Sequence, residues 1–496
     1  MKKKNKIIII GSGIAGIAAA IRLKSVGYNV EIFEANSYAG GKLTAFKSNG
    51  YRFDMGPSLF TMPNLIEELF QIAEKPIESY FTYKQKSVIC NYFFEDGTKF
   101  FAPADKYTFA KSASDTFDVE EKTMLDYLCK CENKFDLTAS LFLENSLHKI
   151  STYLSKKTIK ALLNLSKLDI NKNLSDYNSS IFKDPRLIQF YNRFATYNGS
   201  SPYQTPGIMS MIPNLEQSFG TYFPIGGMHQ ITKSLESLAK DIGIKFNFNN
   251  KVDEIMTKRS NVYGIKTGER IIQSDIVISN ADIVPTYTKL LRKEKVPKRI
   301  LSQERSSSAL IFYWGITKTF RDLDLHNIFF SADYKNEFKC IFEDQLISND
   351  PTVYINISSK EEYKDAPKGC ENWFTMVNAP KNIGQDWDVM IKQTRINIIK
   401  KLSRVLKVDL NQLINYESIL DPRDIEKNTQ SFQGSIYGAA SHSKFSAFLR
   451  HPNFSSSISN LYFCGGSVHP GGGIPLCLWS AKITADLIHK THRHEF

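Results

Sequence analysis

Gly11, Gly13 and Gly16, set in the run Gly11-Ser12-Gly13-Ile14-Ala15-Gly16, and the carboxylate Glu34 beyond them are residues whose types and spacing point first to chemistry. The pattern G-x-G-x-x-G between an apolar strand and a helix, with an acid about twenty residues on, is that of a dinucleotide site. Gly11 makes the tight turn, and Gly13 lets backbone N–H groups approach a pyrophosphate at the positive end of a helix. Gly16 lets that helix pack closely on the strand. Glu34 can accept from both ribose hydroxyls and would repel a 2′-phosphate, which disfavours an NADP-type ligand. Ala39-Gly40-Gly41-Lys42 adds further N–H groups and a cation for the pyrophosphate.

These residues need a scaffold. The apolar runs Ile7 to Ile10 and Val30 to Phe33 read as the first two strands of an α/β nucleotide-binding domain, with an Ala-rich helix between them. The hairpin signal Asp96-Gly97 lies inside an alternating stretch from Val88 to Phe101. Residues 105 to 200 change to helical periodicity, as in Met124, Tyr127, Leu128, Cys131 and Phe135. A nucleotide-domain block returns near 224, with a helix from about His229 to Lys240 and a buried strand in SDIVISNAD at 274 to 282. Strands at Ala309 to Trp314 and Thr352 to Ile357 and a helix near Trp387 to Val405 form a separate sheet. The strand at Leu461 to Phe463 leads through a glycine turn into a closing helix from about Leu478 to His489. The expected organisation is a discontinuous nucleotide domain (1–85, 224–290 and 455–496) interleaved with an α+β substrate domain (86–223 and 291–454).

Composition sets outer limits. At 496 residues, 42% hydrophobic and 23% charged, the chain is long enough for a large core and shows no apolar run of transmembrane length. A net charge of +12 implies an anionic partner. No zinc-finger spacing or aromatic recognition motif favours nucleic acid, which leaves an anionic membrane surface. Leu147 to Leu168 mixes leucines and isoleucines with Lys149, Lys156, Lys157, Lys160 and Lys167, a basic amphipathic pattern suited to docking on lipid headgroups. The seven cysteines, at 90, 129, 131, 340, 370, 464 and 477, read as reduced thiols, and no metal site is expected.

The glycine-rich extension after Glu34, with Phe53-Asp54-Met55-Gly56-Pro57-Ser58, resembles the flavin-binding pattern of the amine oxidase and phytoene desaturase superfamily. A single G-x-G-x-x-G leaves no second pyridine-nucleotide domain, so hydride would come from the organic substrate. Near the C-terminus, Asn460-Leu461-Tyr462-Phe463-Cys464-Gly465-Gly466-Ser467-Val468-His469-Pro470-Gly471-Gly472-Gly473-Ile474-Pro475 is similar to the signature of bacterial-type carotenoid desaturases. Around Cys464 to Pro470 and Pro475 to Leu478 it looks most similar to the hydroxycarotenoid 3,4-desaturase branch. Val468 stands where that family usually has Thr, Leu476 where Gly is common, and Gly466 where the wider superfamily often has Asp.

The resemblance implies a Rossmann-like, glutathione-reductase-like FAD domain. It places FAD against Gly11, Ser12, Gly13, Ile14, Ala15 and Gly16, then Glu34, Ala35, Gly41 and Lys42, then Gly56, Pro57, Ser58 and Leu59. Val252, Asn280, Gly465, Gly466 and Pro475 complete that set. The implied activity is removal of a hydride to flavin and a proton from the neighbouring carbon of an acyclic carotenoid, with 3,4-desaturation of a 1-hydroxycarotenoid as the expected step. His469 is the candidate catalytic residue, with the commoner role for such a ring, a hydrogen-bonded tie within its glycine-rich turn, as the alternative. Oxygen or a membrane quinone would take the electrons at the end, and the protein would sit in the cytoplasm against the inner membrane. Other readings are phytoene or diapophytoene desaturation, carotenoid isomerisation, amine oxidation, and a flavin-free lipid escort.

Overall fold

The computed structural model describes residues 5–153, 164, 168–442 and 449–492. The chain opens with strand β1 (Lys6–Ile10), helix α1 (Ile14–Ser25) and strand β2 (Asn29–Phe33), followed by the ribbon β3 (Thr44–Ser48) and β4 (Tyr51–Gly56). Next come the hairpin β5 (Val88–Phe93) and β6 (Lys99–Pro103), the long helix α2 (Glu121–Phe142), then α3 (His229–Asp241), β7 (Lys245–Asn247) and β8 (Ile276–Ser279). Strands β9 (Ser308–Ile316), β10 (His326–Phe329), β11 (Val353–Asn356) and β12 (Glu371–Ala379) precede helix α4 (Trp387–Leu406) and β13 (Ile414–Leu420). Strand β14 (Leu461–Phe463) and helix α5 (Ile474–His492) close the chain.

Two sheets position the site. The first is parallel, ordered β14-β8-β1-β2-β7. Alternation along a strand sends successive side chains to opposite faces. Ile7 and Ile9 therefore pack under α1, α3 and α5, while Ile8 and Ile10 pack against an antiparallel meander over residues 254–273. Burial on both faces explains why β1 reads as an uninterrupted isoleucine run. Helix α1 is apolar and alanine-rich because it is enclosed, with Ile14 to Leu23 all buried.

The second sheet is mixed and ordered β13-β9-β12-β11-β10-β5-β6. In β9, Leu310, Phe312 and Trp314 pack with Trp387 and Ile398 of α4, whereas Ala309 and Ile311 face a cavity. The expected hairpin forms, with Thr98 N–H donating to Asp96 at 2.9 Å. The helical expectation at Met124 to Phe135 also holds, since all five marked side chains lie on the buried face of α2.

Two expectations change. Helix α5 begins at Ile474, four residues before the expected start, because Pro475 falls in its first turn, where a missing N–H costs nothing. The basic amphipathic stretch at 147–168 lies largely outside the described residues. Within its described part, Leu147 and Leu168 are buried and the Lys149 ammonium sits 4.1 Å over the Phe454 ring. Among the described residues no helix is long and apolar enough to cross a membrane.

Candidate functional site

A cavity of about 820 Å³ runs from the carboxyl ends of the parallel strands to the inner face of the second sheet. Ligands of open α/β sheets bind at that end of the strands. Gly11, Gly13, Ile14 and Ala15 line one end, together with Glu34, Ala35, Gly41 and Lys42. Gly13 caps α1 without a side-chain hydrogen bond, so the first N–H groups of the helix are left for a ligand. A Cβ on Gly13 would lie 3.0 Å from the Asn280 amide nitrogen, and one on Gly41 would lie 3.6 Å from the Gly13 Cα. The cradle is therefore narrow because its residues lack side chains, which is what a bound pyrophosphate requires.

Glu34 directly follows β2 and is 7% exposed. One of its oxygens accepts from the Ser12 N–H and Oγ, both at 2.8 Å, and the other accepts from the Asn36 N–H at 2.9 Å. A carboxylate offers about four acceptor positions, so these bonds fix its orientation and leave capacity for ribose hydroxyls. The residues present fit the adenosine and pyrophosphate parts of FAD. Gly56 to Leu59, Val252, Asn280, Gly465, Gly466 and Pro475 line the same cavity further along.

Three of the expected site residues stand elsewhere. Ser12 and Gly16 are not on the cavity wall: Ser12 orients Glu34, and Gly16 packs against the Gly11 carbonyl and Asn280. His469 is also absent from the wall. Its Nε2 is 2.8 Å from the Asn145 carbonyl, its own carbonyl accepts from Asn453, and its ring is 1% exposed. This corrects the catalytic expectation, since the ring ties the C-terminal glycine turn to the end of the α2 region. Lys42 does line the cavity, but its Nζ donates to the Ile436 carbonyl at 3.2 Å. Burial lowers its pKa while Asp282 and Cys477 pull it back up, so its charge serves that junction as well as any phosphate.

The far end of the cavity holds polar groups that sequence reading did not single out. Arg193 donates to Glu216 at 2.8 Å and to the Tyr92 hydroxyl at 2.5 Å, and Tyr197 also bonds Glu216. The guanidinium is packed 4.3 Å from the Phe194 ring and 5.2 Å from that of Tyr92. Burial raises the Glu216 pKa and Arg193 opposes that rise. Nearby, His326 Nδ1 lies 2.7 Å from the Tyr354 hydroxyl, which accepts from Ser58 Oγ at 2.9 Å. Around these groups the wall is apolar, with Ile311, Ile328, Phe374 and Met376.

Two buried imidazoles set an acid limit on stability. Burial pushes His326 down to about 3, with Asp324 opposing, and His451 down to about 4, with the Pro452 carbonyl opposing. In the unfolded chain both would titrate near 6.5. A lowered folded pKa means that the unfolded state binds more protons between the two values, so stability falls as pH drops through 6.5 and keeps falling toward the folded values. Together the pair should remove about 4 kcal/mol between pH 7 and pH 5. Urea midpoints at the two pH values measure this, and His326→Gln with His451→Gln should flatten the difference; equal midpoints in the parent chain would contradict it.

A family profile described as "Flavin containing amine oxidoreductase" matches residues 14–489. The chain is 56% identical, over 98% of its length and 99% of the relative's, to a 1-hydroxycarotenoid 3,4-desaturase of Flavobacterium sp. (strain P99-3). It is 32% identical, over 97% and 98%, to a 4,4'-diaponeurosporene oxygenase of Staphylococcus aureus (strain MSSA476). Among solved structures, an oxidoreductase from Methanosarcina mazei aligns with a TM-score of 0.62 at 16% identity, over 98% of this chain and 100% of the other. Cyclohexylamine oxidase from Brevibacterium oxydans IH-35A aligns with a TM-score of 0.62 at 14% identity, over 99% and 100%, a likeness of fold.

Proposed function

The chain belongs to the flavin-containing amine oxidoreductase family and is an FAD-dependent oxidoreductase, and from that premise we propose that it desaturates the C3–C4 bond of an acyclic 1-hydroxycarotenoid. The observation that carries the reading is 56% identity, end to end, to an enzyme of that name, against 32% to the oxygenase. The cavity supports it, because beyond the glycine cradle its wall carries aliphatic and aromatic side chains, among them Ile311, Ile328, Phe374 and Met376, suited to a polyene.

FAD, when bound, supplies the acceptor for the hydride that leaves one allylic carbon, while the neighbouring carbon loses a proton and the double bond forms between them. The polyene spreads the developing positive charge, which acidifies the neighbouring C–H, so a weak base suffices to take the proton and no strong acid/base pair is required. What the chain's own residues do is bind, orient and exclude water. Arg193 and Glu216 cancel each other's charge inside the wall, which keeps the cavity hospitable to an uncharged chain. The terminal electron acceptor is proposed to be oxygen or a membrane quinone.

A substrate so insoluble in water is met in a bilayer. The protein is proposed to work in the cytoplasm on the anionic face of the inner membrane, a place supported by the net charge of +12. The test offers the FAD-loaded protein a 1-hydroxycarotenoid and, separately, phytoene, each in anionic liposomes, and follows product mass and spectrum. The hydroxylated carotenoid should lose two hydrogens and absorb at longer wavelength. Conversion of phytoene alone would overturn the assignment, and protein that never sediments with the liposomes would overturn the membrane docking.

A further inference from the structure

Arg450 lines the cavity, is 2% exposed, and pairs with no carboxylate among the described residues. Its Nη1 donates to two carbonyls, that of Tyr437 at 2.5 Å and that of Gly466 at 3.3 Å. Local pairing puts it there. The next residue, His451, bridges to Val468 and accepts from the His469 N–H at 2.9 Å, so this segment runs beside the glycine turn at 465–473. A Cβ on Gly471 would lie 3.2 Å from Arg450 Nε, so the guanidinium rests against bare backbone of that turn.

The charge has no anion of its own. Burial pushes the Arg450 pKa down to about 10, with Arg305 adding to the fall and Cys477 opposing it, so the side chain is still a cation at pH 7. Asp282 is the carboxylate nearest in effect, but the cations acting on it are Arg305 and Lys42. A buried charge left unpaired is costly to keep unless a ligand supplies its partner.

The order of the parallel sheet shows which part of FAD would stand here. Glu34 follows β2, the glycine turn at 11–13 follows β1, Asn280 follows β8, and Gly465 lies just past β14, and the strands are ordered β14-β8-β1-β2. Neighbouring strands lie about 4.8 Å apart. The ribose site, the diphosphate cradle and the Gly465 turn therefore form one row along the carboxyl edge, with the last two strands, about 10 Å, beyond the cradle. An FAD whose adenosine end is at Glu34 and whose diphosphate is at Gly13 brings its flavin half to that turn.

We propose that Arg450 is the counter-charge for the flavin ring on reduction, drawing hydride transfer forward by offsetting the negative charge that arrives with it. Hydride carries two electrons and one proton, so the ring gains one negative charge, while the substrate's second hydrogen leaves as a proton to a weak base or water. A charge acts through space, most strongly where little water screens it, so the role asks for no contact between guanidinium and ring. The inference rests on FAD as the hydride acceptor and deepens that reading, whichever carotenoid bond is desaturated.

The test measures the reduction potential of bound FAD, by equilibration with a reference dye, in the parent protein and in Arg450→Gln, Arg450→Met and Arg450→Lys. Glutamine keeps a donor for the two carbonyls and loses the charge; lysine keeps the charge and loses the fork. Both neutral variants should favour the oxidised form at least about tenfold more than the parent, a potential lower by about 30 mV for a two-electron couple. Arg450→Lys should recover most of the difference. Affinity for oxidised FAD, read by flavin fluorescence, is the second arm. A charge that serves the diphosphate acts equally on both oxidation states, so weaker FAD binding with an unchanged potential would overturn the proposal. Neutral variants that cannot be loaded with FAD, or a lysine variant no different from the neutral ones, would overturn it too. Turnover of a 1-hydroxycarotenoid is followed in parallel. Potentials in the expected order with no turnover would leave the role of Arg450 standing and overturn the desaturase reading alone; turnover with one potential in all four proteins would do the reverse.

Discussion

Replacing Gly16 by valine is expected to give a colourless protein whose affinity for FAD has fallen about a hundredfold or more. The reason lies in backbone and not in side-chain contact. A Cβ at position 16 would sit 2.4 Å from the Gly11 carbonyl oxygen and 3.2 Å from the Asn280 side chain. A flexible side chain could move aside, but the Gly11 carbonyl belongs to the turn itself, and Gly11 holds a φ of +93° that other residues rarely adopt. To make room, α1 must lift from β1, which carries the uncapped N–H groups at Gly13 and Ile14 away from the pyrophosphate. Overpacking of a tight interior costs about 1–3 kcal/mol, and about 2.8 kcal/mol is a hundredfold in affinity. Gly27 provides the control. It too has positive φ, +98°, but nothing lies within 4 Å of its Cβ position, so Gly27→Ala should lower stability modestly and leave FAD binding intact. Flavin absorbance per protein after dialysis measures both, and a Gly16→Val protein that stays yellow at full stoichiometry would refute the account.

That contrast also explains which parts of this molecule were legible in sequence. A pyrophosphate cradle is made from backbone, so its requirements are written locally, as glycines at fixed spacing beside an apolar run and an acid. Gly11, Gly13, Glu34 and Gly41 could be read for that reason, and Gly465 and Gly466 could be found through a family signature. The far end of the cavity follows a different logic. His326 acquires its meaning from pairing opposite Asn356 and beside β5, and from Tyr354 reaching Ser58 across the sheet. No spacing along the chain encodes that register. Arg193 left a fainter trace, as a single charge inside the aromatic run from Phe190 to Tyr197, a position where solvent-facing arginine would be unusual. His469 failed as a catalytic assignment because its motif specifies a turn, and its imidazole secures that turn to the Asn145 carbonyl. Helix α5 started earlier than expected because Pro475 was compatible with a first helical turn.

The second large effect should come from Glu216. Substituting it by alanine is expected to destabilise the protein by about 3–5 kcal/mol, the usual cost of stranding one partner of a buried ion pair. Arg193 and Glu216 are 7% and 3% exposed, so little water is at hand to take over. With Glu216 gone, the guanidinium keeps the Tyr92 hydroxyl and the faces of Phe194 and Tyr197, but none of these carries a negative charge. An arginine cannot discard its proton to escape the penalty. Removing both charges should therefore be milder than removing one. The double variant Arg193→Met with Glu216→Leu is expected to lose less than about 2 kcal/mol, because an apolar pair of similar bulk has no stranded charge to solvate. Denaturant midpoints of the two single variants and the double decide the matter. A Glu216→Ala protein as stable as the parent would mean that the guanidinium finds another anion or water. If the double variant also retains carotenoid turnover, then the pair serves the cavity by neutralising itself, and neither charge is needed to hold the substrate.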